Sequence, residues 1–408
     1  MAENISFGFS ELAKQASLQP KEALLQKNKP NQVLFIGIPK ETTLQEHRLP
    51  LTPSSVQLLV DNGNEVWIES NAGKEAKFTD KDFSEAGAKI CPNREEVFKA
   101  DIIVKVEPPT DEEITLFGPE KLLISALQHG ARSEPYIRSL MQKKINAIGF
   151  EFLKDSDGIF PIVRSLSEIT GITAISVASE LLSINNGGKG EMLGGVSGIP
   201  PTEVVIIGAG TVGEYAAKAA LGKGASVKVF DSSLARLRRL QSNLYQNVFT
   251  SLLHPKILEK AILSADVVIG CIRSEEGRSP VVVSEELVSM MKECSIILDI
   301  SIDQGGLFET SEITTHKKPT FVKHGVIHYC VPNITSRVCR TASYALSNIL
   351  TPLLLRLSGY QSFGDFLFAN PELRNGVYIY RGNLTNKHLG KRLSIYNKDI
   401  DLLLAAHA

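Results

Sequence analysis

Apolar residues recur along this chain in two rhythms. Short runs such as "QVLFIGI", "DIIVKV", "EKLLISAL" and "INAIGF" are continuous and rich in branched residues, as buried strands are. Between them lie segments that open on Thr or Ser and close on glycine, as helices do. "TPSSVQLLVDNGNEVWIES" carries a capped helix, an Asn-Gly stop and a strand near Glu65–Ile68, and "TDKDFSEAGAKI" repeats the plan. "REEVFKADIIVKVEPP" runs a helix into the next strand, and "SEPYIRSLMQKK" is the helix between two more. Strands alternating with helices at this spacing predict a parallel α/β sheet.

The rhythm then restarts. A long helix rich in Ile, Ala and Leu is expected from about Ser165 to Leu182, followed by the glycine-rich loop "NNGGKGEMLGGVSGIPP". A second α/β unit follows, from "TEVVIIGAGTVG" through "ADVVIGCI" and "CSIILDISIDQGG" to about Val331. Residues 334–357 again read as helix, and the tail after Phe363 as polar with helical pieces. Residues 1–31 form a polar extension with one or two short helices, placed to pack on another subunit or domain.

Composition narrows the class. The chain has 408 residues, enough for two domains, and a formal net charge of -1, which gives no pull toward nucleic acid or an anionic membrane. No secretory signal and no apolar run long enough to span a membrane is present, so a cytoplasmic protein is expected. The five cysteines (Cys91, Cys271, Cys294, Cys330, Cys339) are widely spaced, with neither a disulfide framework nor metal-ligand spacing, and none of the histidines has ligand spacing. No metal is expected.

The most specific chemistry is Gly208-x-Gly210-x-x-Gly213 at the end of "VVIIGAGTVG". A strand precedes it, a helix opening on Thr211 and Val212 follows, and the next strand ends at Asp231. This is the full context of a dinucleotide site: a tight turn, close backbone approach to a pyrophosphate, and phosphates on a helix N-terminus. Asp231 would accept from a ribose hydroxyl and repel a 2′-phosphate, favouring NAD; Arg236 and Arg238 weaken that exclusion.

Other groups stand where ligands gather. Arg48, between a loop and a capped helix, is placed to clamp a carboxylate; the plainer alternative is a surface pair with Glu46. Asp303 follows the strand in "LDISIDQGG", and His129 follows "LISALQ"; each is a candidate proton-transfer group, or simply a turn residue. "DIIVKVEPP" puts Lys105 and Glu107 two residues apart on one strand face, stopped by two prolines: either a surface ion pair or a wall of the cleft.

"GIPKE…EHRLPLTP", "DIIVKVEPP", "SLSEITG", the glycine motif, "ILDISIDQGG" and "YCVPNITSRVCRTASYALSN" together resemble the alanine dehydrogenases. These share a family with the NAD-binding component of proton-translocating transhydrogenase. The resemblance covers almost everything after residue 32. It implies two Rossmann-like domains with the active site between them: a discontinuous substrate domain (32–164 and 335–408) and an inserted NAD domain (165–334). It implies reversible NAD-dependent oxidative deamination of L-alanine to pyruvate and ammonia, in a homo-oligomer, commonly a hexamer, with a dimer as the alternative. Arg48 matches the carboxylate-binding arginine, Asp303 the active-site aspartate, Ser167 a phosphate-contacting serine and Asn333 an asparagine near the nicotinamide.

Two positions depart from the pattern. Glu107 stands where a substrate-contacting lysine is expected, although Lys105, the preceding lysine, is retained; Lys105, Glu107 and Gln128 are the substrate-binding candidates beside Arg48. The catalytic histidine falls on Gln128 or on His129, depending on one inserted residue. Glu107 leaves room for a related dehydrogenase with a cationic substrate. A non-dehydrogenase NAD-binding module like the transhydrogenase component is a third reading.

Overall fold

The computed structural model describes residues 32–128, 132–244, 246–273 and 278–406. The 1–31 extension and His129 lie outside these residues.

Two sheets organise the chain. The first has eight strands in the order β15-β14-β6-β5-β4-β1-β2-β3. They are β1 (Phe35–Ile38), β2 (Glu65–Glu69), β3 (Lys89–Cys91), β4 (Ile102–Val104), β5 (Leu122–Ser125), β6 (Asn146–Gly149), β14 (Val377–Tyr380) and β15 (Asn383–Leu384). The second has seven, in the order β12-β13-β11-β10-β7-β8-β9. They are β7 (Glu203–Ile207), β8 (Ser226–Asp231), β9 (Phe249–Leu252), β10 (Val267–Gly270), β11 (Ile296–Asp299), β12 (Thr320–Lys323) and β13 (Val326–Tyr329).

The continuous apolar runs have a simple cause. Ile36, Ile102, Val104 and Ile124 point into one core of the first sheet, while Ile103, Leu123 and Ala147 point into the core on its other side. In the second sheet Val204 and Ile206 face one core, Val205 and Ile207 the opposite one. Both faces are covered by helices, so neither set of alternate residues is polar. Each such side chain contributes about 1.5–3 kcal/mol of burial free energy.

The expected parallel α/β architecture is present, with antiparallel strands at one edge of each sheet: β14 beside β6, β15 beside β14, and β12 beside β13. The tail is therefore not only polar and helical. Its "VYIY" segment returns as β14, with Tyr378 and Tyr380 buried, and closes the edge next to β6. The long helix begins earlier than expected and spans Pro161–Leu181; with the helix Cys339–Leu357, against which it packs, it links the sheets.

The strand orders fix where ligands bind. In the first sheet β1 lies between β2 and β4, so successive connections leave in opposite directions and a crevice opens at the C-terminal ends of β1 and β4. The chain leaving β1 carries Glu41, Glu46 and Arg48; the chain leaving β4 carries Lys105 and Glu107. In the second sheet the same switch lies between β7 and β10, where the glycine motif meets Cys271.

Candidate active site

The loop after β1 is shaped by the other half of the molecule. Leu44 and Gln45 adopt left-handed backbone conformations, with φ of 49° and 51°, which non-glycine residues hold only where the surroundings enforce them. Here Asn333 Nδ2 donates to Leu44 O at 3.1 Å, Ser336 Oγ to Gln45 O at 3.2 Å, and His47 N to Ser336 Oγ at 2.7 Å.

That loop presents Arg48. Its Nε donates to Glu46 Oε1 at 2.7 Å and its Nη2 to Glu46 Oε2 at 2.6 Å. The same carboxylate accepts from the Arg48 backbone N–H at 2.8 Å and from Asn333 Nδ2 at 3.3 Å. The pairing with Glu46 anticipated in the plainer reading exists, but the pair is buried rather than on the surface. Burial alone pushes the Glu46 carboxyl up; the charge and hydrogen bonds of Arg48 outweigh it and hold it at about 2. Arg48 Nη1 has no hydrogen-bond partner among the described residues.

The residues of "DIIVKVEPP" divide between two tasks. Strand β4 ends at Val104, and both charges lie just beyond it. Lys105 is 1% exposed and is gripped by Glu113, with Nζ 2.8 and 2.7 Å from its two oxygens, and by Glu41 at 3.5 Å. It is a buried structural cation whose partners include neither Glu107 nor solvent. Glu107 is the cleft wall: Gln128 Nε2 donates to its Oε2 at 2.5 Å, and Arg48 Nη2 lies 3.5 Å from its Oε1. Burial, then the neighbouring Glu46 charge, raises the Glu107 carboxyl to about 7 against the pull of Arg48. Burial likewise lifts Glu41 to about 7. Carboxyls outnumber cations in this cluster, and holding protons on two of them avoids uncompensated buried charge.

Gln128 reaches Glu107 from the end of β5. It takes φ of 51°, and its backbone N–H, with that of Leu127, donates to Glu151 Oε1 at 2.9 and 2.8 Å. Burial raises the Glu151 carboxyl above its usual value. A cavity of about 520 Å³ opens here, lined by Glu107, Gln128, Leu44, Asp111, Arg132 and Tyr136 among others. Arg132, Tyr136, Glu113, Glu41 and Glu151 were not singled out from sequence. The signal for Arg132 was its place immediately before a Ser-capped helix, in the connection that leaves β5.

The cofactor side is built on β7. Gly208 has φ of 122°, and a Cβ on Gly213 would fall 1.9 Å from Gly208 O. Both glycines are required by the fold itself. Gly210 is different: its φ is -74° and a Cβ there would meet nothing within 4 Å. Neither backbone nor packing demands glycine at 210, so the open space above it suits a ligand lying on the backbone. Gly210 caps the helix Thr211–Gly222, whose first N–H groups, from Thr211, Val212 and Gly213, face that space. Ser167 sits one helical turn before Gly171, at which a Cβ would lie 2.4 Å from Val212 O, so Ser167 is on the face turned toward the helix start.

Asp231 is buried; Oδ2 accepts from Ala209 N and Oδ1 from Ser233 N, both at 2.7 Å. It braces the glycine loop, and each oxygen has one further lone pair. Arg236 Nη1 lies 4.0 Å from its Oδ2, and Arg239, rather than Arg238, reaches the loop through Ala209 O at 3.2 Å. These residues fit NAD.

Asp303 lies on the short 3-10 turn Ile302–Gln304, ahead of Gly305 and Gly306. It is exposed, yet the surrounding protein desolvates its carboxyl enough to raise it, opposed by Arg273. Asn333 joins the halves: its Oδ1 accepts from His316 Nε2 at 3.0 Å while its Nδ2 donates to Glu46 and Leu44.

Comparison with known proteins agrees with this geometry. Residues 37–170 match the family model "Alanine dehydrogenase/PNT, N-terminal domain" and residues 174–387 its C-terminal counterpart. The chain belongs to the alanine dehydrogenase/PNT family. It is 38% identical to alanine dehydrogenase 2 of Staphylococcus aureus over 367 residues, 90% of this chain and 98% of that one. A solved L-alanine dehydrogenase superimposes with a TM-score of 0.81 at 34% identity, over 90% of this chain and 99% of the other. A transhydrogenase from Sinorhizobium meliloti shares the fold, with a TM-score of 0.74 at 20% identity over 86% of this chain and 99% of that one. Glu107, hydrogen-bonded to Gln128, stands at the place where the resemblance led to the expectation of a lysine.

Proposed function

We propose that this protein catalyses the reversible, NAD-dependent oxidative deamination of L-alanine to pyruvate and ammonia. It is an NAD-dependent amino-acid dehydrogenase. The observation that carries the reading is a tie between the two halves: Asn333, just beyond β13 of the second sheet, whose strand switch carries the glycine cradle, donates to Glu46, which holds the buried Arg48 guanidinium at the switch of the first sheet.

NAD, when bound, supplies the ring that accepts the hydride from Cα. The chain's own residues do the rest. Arg48 offers Nη1 to the substrate carboxylate, while Glu46 holds the guanidinium in one orientation. Loss of hydride leaves an iminium, and water adds to its carbon. Asp303, with its raised carboxyl, takes the proton of that water, a role it shares as candidate with His129. Collapse of the carbinolamine releases ammonia and pyruvate. Lys105 acts at one remove, neutralising Glu113 and lying 3.5 Å from Glu41.

Residues 32–164 with 335–408 form the substrate domain in this reading, and 165–334 the NAD domain. Assembly as a homo-oligomer in the cytoplasm is part of the same proposal. Exposed Ile172, Ile184, Met192, Val196 and Ile199 support a subunit interface, and light scattering of the purified protein tests it.

A cationic substrate is not favoured, because the cavity wall carries Arg132 and adjoins Arg48. A transhydrogenase-like role is not favoured either, given the greater likeness to alanine dehydrogenases over nearly the whole chain. The test is direct: purified protein with alanine and NAD should form NADH, and pyruvate with ammonium should consume it. No turnover in either direction, even at saturating substrate, would overturn the reading.

A further inference from the structure

Arg48 lies behind the cavity wall, 3.5 Å from Glu107, but is electrically spent. Its charge is matched by Glu46, which stays ionised, and two of its nitrogens are committed. Glu107, where a second cation was expected, adds none. Yet a cavity that draws in a small carboxylate from water needs a positive potential, because desolvating an anion without compensation is costly.

The uncompensated cation of this cavity is Arg132. Its guanidinium forms no ion pair among the described residues; Glu107 is held by Gln128, and Asp111, the other acid in the wall, does not pair with it. Its Nη2 donates to a neutral acceptor, Gln128 Oε1, at 2.9 Å. Its Nε is buried with no hydrogen-bond partner among the described residues. A charged N–H left unsatisfied in a buried place marks a site for a ligand or water. The side chain is also pre-positioned. It stacks 5.0 Å from the Tyr136 ring centroid, that ring is anchored by a 2.9 Å bond from its hydroxyl to Pro109 O, and Arg392 Nη2 donates to the Arg132 carbonyl at 2.6 Å. Gln128 thus ties the Arg132 guanidinium to the wall formed by Glu107, with its own neutral amide between the two groups.

We infer that Arg132 is a substrate-binding residue of this enzyme, a second guanidinium that supplies the attraction for the carboxylate of the 2-amino or 2-oxo acid. The inference rests on reading the site as that of an amino-acid dehydrogenase. Glu107 and Gln128 act as positioning residues for Arg132, and the preference for substrates with a free carboxylate depends on the trio.

The experiment compares wild type, Arg132→Gln and Arg132→Lys, with Arg138→Gln, an exposed residue on the following helix, as control. Steady-state rates are measured with pyruvate and with pyruvamide, which lacks the carboxylate, and NADH affinity by fluorescence. Arg132→Gln should raise KM for pyruvate about 10- to 100-fold, the value of a charge-assisted contact, and shrink the preference for pyruvate over pyruvamide by the same factor. NADH affinity should stay unchanged, and Arg132→Lys should recover part of the loss. An unchanged pyruvate-to-pyruvamide ratio in Arg132→Gln would overturn the inference, as would equal losses for both substrates. If wild type turns over neither alanine nor pyruvate, the functional reading fails instead. Calorimetry of pyruvate binding to the NADH-loaded proteins then decides on Arg132 separately: equal affinity in wild type and Arg132→Gln would reject it.

Discussion

Gln128 donates from Nε2 to Glu107 Oε2 at 2.5 Å and accepts from Arg132 through Oε1, so its amide stands between an acid and a base with only one sensible orientation. Turning the amide over would set its NH2 against a guanidinium and its oxygen against a carboxyl. Glu107 and Gln128 are therefore one unit, and changes to either should not be additive.

Glu107→Lys tests that unit. The new ammonium would face Arg48, which now lies 3.5 Å from Glu107 Oε1, and would confront the donor of Gln128. Like charges in a buried site, with a hydrogen bond lost, should cost about 3–5 kcal/mol. Thermal or urea unfolding of the variant reads it. A stability equal to wild type, with improved alanine binding, would mean that Glu107 is merely a substituted lysine and not part of a network.

The Glu107 proton should also make stability depend on pH. Burial, with Glu46 beside it, raises its carboxyl from 4.5 to about 7 in the folded protein. Between those values the folded state binds more protons than the unfolded one, so this group's stabilising contribution is complete below about 4.5 and is lost as pH rises to about 7. Glu46 runs the opposite way: held at about 2, it stabilises above 4.5 and loses that contribution as pH falls toward 2. Glu107→Gln should flatten the decline in Tm between pH 4.5 and 7 without removing it, because Glu41 is raised to about 7 as well. The same slope in wild type and variant would reject the assignment.

The glycine motif yields a paired prediction. A Cβ at Gly213 would sit 1.9 Å from Gly208 O, whereas one at Gly210 meets no protein atom within 4 Å. Gly213→Ala should lower stability by about 1–3 kcal/mol. Gly210→Ala should leave the melting temperature almost unchanged and weaken NADH binding by about tenfold or more, since only the ligand occupies that space. Melting curves without NADH and fluorescence titration with it separate the two. Unimpaired NADH binding by Gly210→Ala would remove Gly210 from the cofactor site.

Much of this was legible in the chain. Runs such as Ile102–Val104 and Val204–Ile207 are apolar on every residue because both faces of a parallel sheet are covered, and no partner information is needed to see it. The glycine motif was equally plain, because its requirements are local in sequence. What stayed hidden depended on tertiary approach. Lys105 finds Glu41 across the switch between β1 and β4, a partner that spacing cannot name. The strand Val377–Tyr380 was missed because four residues in a polar tail show no clear period, and only the open edge of β6 makes them a strand. Arg132 looked like any charged residue ahead of a helix until the cavity around it was visible.

The Glu46–Arg48 chelate supplies the last prediction. Glu46 Oε1 accepts from Arg48 Nε, from the Arg48 backbone N–H and from His47 N, while Oε2 accepts from Arg48 Nη2 and Asn333 Nδ2. Every contact of this carboxylate is a donor, so Glu46→Gln would necessarily turn an NH2 group against other N–H groups. Arg48 would lose its fixed orientation and Asn333 its hold on the loop. Alanine kcat/KM should fall about 100-fold, equivalent to about 2.7 kcal/mol of lost transition-state stabilisation. The drop should also vary little with salt, because the pair is buried. Steady-state kinetics at low and high ionic strength measure both. A variant with wild-type kcat/KM would show that Arg48 needs no partner to bind substrate, and the chelate would then be only a packing feature of the loop.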